Sequence, residues 1–410
     1  MTKGPWELPA DWEWATVGDV CVRDTGRRDP RSNGDEPFTY IEIAGIDRDR
    51  KSIASYQELR GAGAPSRARK IIRSGDVLVA TTRPNLNAVA VVPPELDQQV
   101  CSTGFCVLRP NDHVLGRLLF AYVRSPWFVQ SLSAMVSGAL YPAVTDLQVF
   151  EQSFPRPPLP VQRRIVAKID AVMAKMEETG VLCQQAASEV QSLLPSRMTE
   201  IFADLAHSFN AVCLGDLLDE ARYGTSVRCS TVRQPGARPV LRVPNILSGA
   251  VSLDDLKHAA LPDDHFQRVA LEEGDLLLVR TNGNPDLVGR CAVVPALREP
   301  MAFASYLIRL RCNSAKVRPA YLQHALKHLR MSGALLSYAR TSAGQFNLSV
   351  GRLREVSLPL PPLGKQDEVV AEADSLEAKV QELGNWHYQV RADLDRLAAS
   401  VLDHAFRGHL

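Results

Sequence analysis

Phe154-Pro155-Arg156-Pro157-Pro158-Leu159-Pro160-Val161-Gln162 returns 204 residues later as Leu358-Pro359-Leu360-Pro361-Pro362-Leu363-Gly364-Lys365-Gln366. Around these stretches, 132–170 and 336–374 match without gaps at 13 of 39 positions. Unrelated sequences of ordinary composition would share about two or three. Echoes continue upstream with a drifting offset: Val17-Gly18-Asp19-Val20 answers Leu214-Gly215-Asp216-Leu217, and Gly75-Asp76-Val77-Leu78-Val79 answers Gly274-Asp275-Leu276-Leu277-Leu278. The 410 residues therefore read as one unit written twice rather than as unrelated domains.

Each copy has two parts. The prolines hold an extended segment that cannot join the helix behind it. Behind the second proline segment, apolar positions recur at Val369, Ala373, Leu376, Val380, Leu383, Val390, Leu394, Leu397 and Val401, with His387 the one polar member. This alternation of four and three is the seam of a coiled coil. The first copy repeats it at Ile165, Ile169, Val172, Met176, Ala186, Val190 and Leu193, with Thr179 and Cys183 in a weaker middle. Pro195 is expected to bend or restart that helix. From 161 to 194 the rod is on the order of 50 Å long. Two rods with one apolar stripe each most simply bury those stripes against each other. Two similar heads on a rod of fixed length make a caliper.

Ahead of each rod, short β-type runs bounded by Gly, Pro, Asn and Asp, such as Asp76–Ala80, Ala88–Val92, Asp275–Val279 and Tyr306–Leu310, alternate with amphipathic stretches near 114–134 and 318–337. Each head reads as an α+β domain with a curved or partly closed sheet.

Composition narrows the function. Hydrophobic residues at 45% and charged residues at 23% are globular values. No run approaches the ~18 apolar residues of a membrane span. Met1-Thr2-Lys3-Gly4-Pro5-Trp6-Glu7 lacks the apolar core of a secretory signal. The net charge of +1 argues against a polycationic coat on nucleic acid, but it divides unevenly along the repeat. Residues 206–360 carry 19 basic and 13 acidic side chains, against 17 and 18 in 1–155 and 5 and 9 in 361–410. The second head alone is distinctly basic.

The eight cysteines form no Cys-x-x-Cys pair, so reduced thiols are expected rather than a zinc site. Phosphate-binding loops, hydrolase elbows and metalloprotease or deaminase motifs are absent from the sequence. His324 and His328, spaced like a metal pair but without a nearby acid in sequence, read as an exposed helix face.

Polar turns do recur at equivalent places. Directly after a buried strand stand Thr81-Thr82-Arg83-Pro84-Asn85-Leu86-Asn87 and Arg280-Thr281-Asn282-Gly283-Asn284-Pro285-Asp286. Ahead of the proline segments stand Ser137-Gly138-Ala139-Leu140-Tyr141-Pro142 and Ser342-Ala343-Gly344-Gln345-Phe346-Asn347. Arg presents a fork to guanine, Asn presents one to adenine, and Thr reaches phosphate or the thymine methyl. Thr82, Arg83, Asn85, Asn87, Tyr141, Arg280, Asn282, Asn284, Gln345 and Asn347 are thus the candidate DNA-contacting residues, with chain reversal alone as the bland alternative. The clusters Arg27-Arg28, Arg67-Ala68-Arg69-Lys70 and Lys327-His328-Leu329-Arg330 are further candidates for phosphate.

Taken together these features resemble the specificity subunits of type I restriction–modification enzymes. The resemblance rests on Leu8-Pro9-Ala10-Asp11-Trp12, on the two Pro-Pro-Leu-x-x-Gln junctions (157–162 and 361–366) and on Ala405-Phe406-Arg407-Gly408-His409-Leu410. The ending is degenerate in the central copy, where Ile201-Phe202 stands for Ala405-Phe406. The resemblance implies an α+β fold: two repeated α/β target-recognition domains, 1–155 and 208–360, with helical regions 156–207 and 361–410 pairing as an antiparallel coiled coil. It implies a chain that binds double-stranded DNA, each head reading one half of a bipartite site, and that has no active site or cofactor of its own. The helices would set the spacer and dock two methylation subunits, which would use S-adenosylmethionine to methylate adenine. Restriction subunits, where the system has them, would use ATP and Mg. The setting would be the prokaryotic cytoplasm, with no membrane. A tandem adaptor for a non-DNA ligand and a stand-alone DNA modification enzyme are the competing readings.

Overall fold

The computed structural model describes residues 4–136, 142–342 and 344–410, which divide into two compact units. The first runs to Cys183 and adds Tyr388–Leu410; the second is Gln184–His387. Two long helices, Leu159–Ser208 and Leu363–Phe406, each contribute one part to each unit.

The two units share a topology. In the first, an antiparallel sheet orders its strands Cys21–Val22, Phe105–Pro110, Val77–Ala80 and Val89–Val91. In the second, the same order is Leu218–Tyr223, Leu307–Cys312, Leu276–Val279 and Cys291–Val293. The uninterrupted apolar runs at 77–80 and 276–279 follow from burial on both faces. Alternate residues point to opposite sides of a strand. Val77 and Val79 therefore enter the helical core with Leu118 and Tyr122, while Leu78 and Ala80 enter a second core with Ile41, Ile72 and Phe105. Leu276 and Leu278 divide from Leu277 and Val279 in the same way. The outer core of each unit is covered by another sheet, containing Pro37–Ile41 paired parallel with Val100–Ser102, or Arg238–Leu241 paired parallel with Ala302–Phe303.

The repeated Gly-Asp before the central strand has two functions. Gly75 and Gly274 take left-handed φ values of 86° and 85°, which only glycine adopts without strain. The buried carboxylates that follow each grip an arginine of the neighbouring strand: Asp76 accepts from Arg109 Nε and Nη2 at 2.9 and 2.7 Å, and Asp275 accepts from Arg311 at 2.9 and 3.0 Å. Asp76→Asn, which leaves Arg109 facing a neutral amide, is expected to lower the first unit's unfolding free energy by about 2 kcal/mol in a urea titration.

The helices run antiparallel within each unit. In the first, Ile165 and Ile169 from the start of one helix share a core with Leu402, Ala405 and Phe406 from the end of the other. In the second, Met198, Ile201, Phe202 and Leu205 share a core with Val369 and Ala373. The apolar stripe is buried at these ends, half-buried at Val172, Met176, Val190, Val380 and Val390, and exposed at Leu193, Leu383 and Leu397. Pro195 does not restart the helix: Leu159–Ser208 is continuous through it.

The motifs at the two chain ends meet. Phe406 packs edge-on against Tyr122 at 5.2 Å, its carbonyl accepts the Trp6 indole N–H at 3.3 Å, and Arg407 lies over the Trp6 ring. Pro9 of the Leu-Pro-x-x-Trp opening caps a turn to Trp12, and an added Cβ at Gly408 would strike the Pro9 ring. The degenerate Ile201-Phe202 fills the same kind of place in the second unit, where Phe202 is buried against Tyr321 and stacks on His328 at 4.9 Å.

Candidate nucleic-acid interface

In each head the turn after the central strand and the segment before the proline run anneal as a short antiparallel pair. The first head pairs Thr82 with Ala143, with Arg83 N donating to Pro142 O at 2.8 Å and Val144 N to Thr81 O at 2.9 Å. The second pairs Thr281 with Asn347 and Asn282 with Phe346, with Leu348 N donating to Arg280 O at 2.9 Å. These partners occupy equivalent places in the repeat, so the register is the same in both heads. Arg340–Ser342 adds a third strand in the second. Two stretches of irregular polar sequence thus become one fixed platform, held by backbone bonds that leave side chains free to differ.

The candidate side chains divide into two groups. Asn87, at a left-handed φ of 44°, donates its amide to Val123 O at 2.8 Å. Asn282 Oδ1 accepts from Asn284 N, and Asn284 Oδ1 accepts from Asp286 N, each at 2.9 Å. Arg280 lies 4.3 Å over the Tyr223 ring and donates to Asn347 Oδ1 at 3.0 Å. Half-buried Thr82 serves the pairing itself. Arg83 and Asn85 are exposed and, among the described residues, their side chains make no hydrogen bond; Gln345 is exposed and only touches Thr281 Oγ1 at 3.4 Å. Tyr141 lies outside the described residues.

The basic clusters are largely committed inside the protein. Lys70 is buried against Asp146 and donates to Phe105 O at 2.6 Å, Arg69 meets Asp29 at 3.1 Å, Arg28 meets Glu36 at 2.6 Å and Lys327 meets Glu377 at 2.8 Å. Arg27 and Arg67 remain exposed. The histidine pair is not an exposed face. His324 is buried between Asp374 and Glu377, and His328 is half-buried on Phe202, where burial lowers its pKa. The acids that explain His324 lie some 50 residues away, beyond the reach of local sequence.

Other charged residues at the platform give no sequence signal. Lys51, also at a left-handed φ, donates Nζ to Asn87 O at 2.7 Å. Burial, with Arg124 adding repulsion, holds its pKa down to about 8. In the second head Arg290 donates to Leu247 O at 2.8 Å and to Asp286 O at 3.2 Å. Among the described residues no group of three or more His, Cys, Asp or Glu is placed to hold a metal ion, and no helix is long and apolar enough to cross a membrane.

No protein-family model matches the chain. It is similar to the HsdS subunit of Thermoanaerobacter tengcongensis, at 34% identity with all of both chains covered and a TM-score of 0.66. It is also 34% identical to a chain solved in a study of complex assembly and conformational transition of the type I R-M system, covering 99% of this chain and 100% of that one at a TM-score of 0.84. The specificity subunit of the type I restriction enzyme EcoKI from Escherichia coli (strain K12) is 26% identical over 329 residues, 76% of this chain and 69% of that one.

Proposed function

The chain belongs to the specificity (HsdS) subunits of type I restriction–modification systems, and from that membership we propose that its two heads read the two halves of one bipartite DNA site. Residues 1–155 and 208–360 are assigned as the target-recognition domains, and 156–207 and 361–410 as the helical regions that set the number of unread base pairs and dock two methylation subunits. The observation that carries the reading is the platform built in the same register in both heads with different side chains on it. A shared frame with exchanged polar groups is what two readers of different sequences require. Arg83 and Asn85 in the first head and Gln345 in the second are the side chains assigned to base edges. The chain is the recognition subunit and carries out no chemistry itself. S-adenosylmethionine belongs to the methylation subunits, and ATP and Mg to restriction subunits where the system has them. The assembly works on host DNA in the cytoplasm.

The deciding experiment is a map of methylated adenines in host DNA with and without this chain. A discontinuous motif that disappears on deletion is expected, and an unchanged methylome would overturn the reading. Exchanging residues 208–360 for the corresponding head of a relative with a different motif is expected to change one half-site and keep the other. A change in both halves would refute the assignment of one head to one half-site.

A further inference from the structure

Beside the platform, each head holds two cations at the left-handed residue that closes its turn. In the first head Lys51 Nζ holds the Asn87 carbonyl at 2.7 Å, and the Asn87 amide holds the carbonyl of Val123, the residue before Arg124. In the second head Gly289, with φ +80°, stands where the first has Asn87. There Arg290 Nη1 reaches Leu247 O at 2.8 Å, and Arg290 Nε and Arg330 Nη1 share Asp286 O at 3.2 and 3.3 Å. The same three elements supply these groups in both heads: the loop after the first strand of the outer sheet, the turn, and the helix packed behind it. The residues do not correspond one to one. Lys51 comes from the loop and reaches the turn, whereas Arg290 comes from the turn and reaches the loop. The cation pair keeps its place although the sequence positions that supply it have changed.

Carboxylates act on these cations only at a distance, Asp49 and Asp47 on Lys51 and Asp286 on Arg330. Among the described residues Lys51, Arg124, Arg290 and Arg330 form no ion pair; their bonds go to backbone carbonyls, and Arg124 lies over the Phe120 ring. Burial lowers the pKa of Lys51, Arg124 and Arg330, and Arg124 beside Lys51 and Arg290 beside Arg330 each add like-charge repulsion. In the second head the cations border a cavity of about 150 Å³ that Gln323 also lines. Fixed, partly desolvated positive charge with a vacant side favours a small, strongly charged anion.

We propose that these are phosphate clamps: Lys51 with Arg124, and Arg290 with Arg330, each grip one backbone phosphate of the DNA. The proposal rests on the DNA-reading function above and divides labour within it. The clamps fix register without reading sequence, and the exposed side chains of the platform read the bases.

The test measures binding of the complex with its methylation partner, over a range of salt concentrations, to a duplex carrying the wild-type methylation motif and to a scrambled duplex. Arg124→Gln and Arg330→Gln each remove one cation while Lys51 and Arg290 keep the loops stitched, and circular dichroism checks the fold. Each variant is expected to flatten the slope of log K against log salt by about 0.9, so that affinity lost between 50 and 200 mM salt shrinks about 3-fold. Both duplexes should weaken alike, with the methylated motif unchanged. An unaltered slope, or a changed motif, would overturn the clamp. A wild-type complex indifferent to the duplex sequence would instead sink the DNA-reading function, so the two failures are distinguishable.

Discussion

Gln366→Leu is expected to destabilise the second unit by about 3–6 kcal/mol, although leucine nearly matches the glutamine in size. Gln366 is fully buried, and its amide is completely used: Nε2 donates to Lys316 O at 3.0 Å and Pro361 O at 2.8 Å, and Oε1 accepts from Arg318 N at 2.8 Å. Leucine would orphan three backbone groups in a site closed to water, each costing about 1–2 kcal/mol. Gln162 makes the same three bonds in the first unit, to His113 O, Pro157 O and Leu115 N, each at 2.9 Å. Each glutamine ties three pieces together: the proline segment, the start of a long helix and the entry to the helix packed on the sheet. Urea unfolding reads the loss, and hydrogen exchange should show it concentrated at 316–320 and 361–370. A loss below about 1 kcal/mol would show that these backbone groups find other partners.

That glutamine also shows how far the sequence could be read. The Pro-Pro-Leu-x-x-Gln junction repeats visibly, and its prolines announce an extended segment before a helix because proline acts on its own neighbours. The role of Gln162 was not legible, since two of its three partners lie 47 and 49 residues upstream. The same holds for the platform. Both polar loops stood out as repeated elements, but they are joined through backbone bonds between segments some 60 residues apart, and no side-chain pattern encodes such pairing. Asn87, Asn282 and Asn284 have the chemistry to read bases, and their amides also close turns, the ordinary use of asparagine at left-handed and capping positions. The helical stripe was legible because its period is local. Pro195 does not restart the helix because a proline removes one hydrogen bond, and the packing of Met198, Ile201 and Phe202 from three residues on keeps it continuous. Charge counts located a basic second head without distinguishing Lys327, paired with Glu377, from Arg330, which among the described residues forms no ion pair.

Breaking the charged cluster behind the second head should cost more than replacing all of it. His324 Nε2 lies 2.8 Å from Asp374, its Nδ1 lies 3.3 Å from Glu377, and Lys327 meets Glu377 at 2.8 Å. With carboxylates at both ring nitrogens, the imidazolium is the form that fits. Burial opposes the charge, but Glu377 and Asp374 outweigh it, so the folded-state pKa of His324 is raised above 6.5. Glu377 is lowered to about 2: burial alone would raise it, and His324 and Lys327 overcome that. The signs define a window. The histidine contribution is fully present below its unfolded pKa of about 6.5 and is lost as pH rises through the higher folded value. The glutamate contribution is present above its unfolded pKa of about 4.5 and is lost as pH falls toward 2. Stability of the second unit should therefore peak between about pH 5 and 6.5 and fall on the alkaline side. The first unit carries Ala121, Arg124 and Met173 at the equivalent positions, with no carboxylate among them. Glu377→Met alone leaves Lys327 without its carboxylate and His324 with Asp374 as its remaining acid, and should cost about 3–5 kcal/mol. Installing Leu, Met and Met together at 324, 327 and 377 replaces the cluster with apolar side chains of similar volume. It should restore or exceed wild-type stability and flatten its pH dependence, because an apolar cluster of similar volume carries no desolvation penalty. Urea midpoints of wild type, single and triple variants at pH 5.5 and 8.5 decide it. A triple variant as weak as the single, or a wild type indifferent to pH, would show that the cluster does not hold the helix to the head through charge.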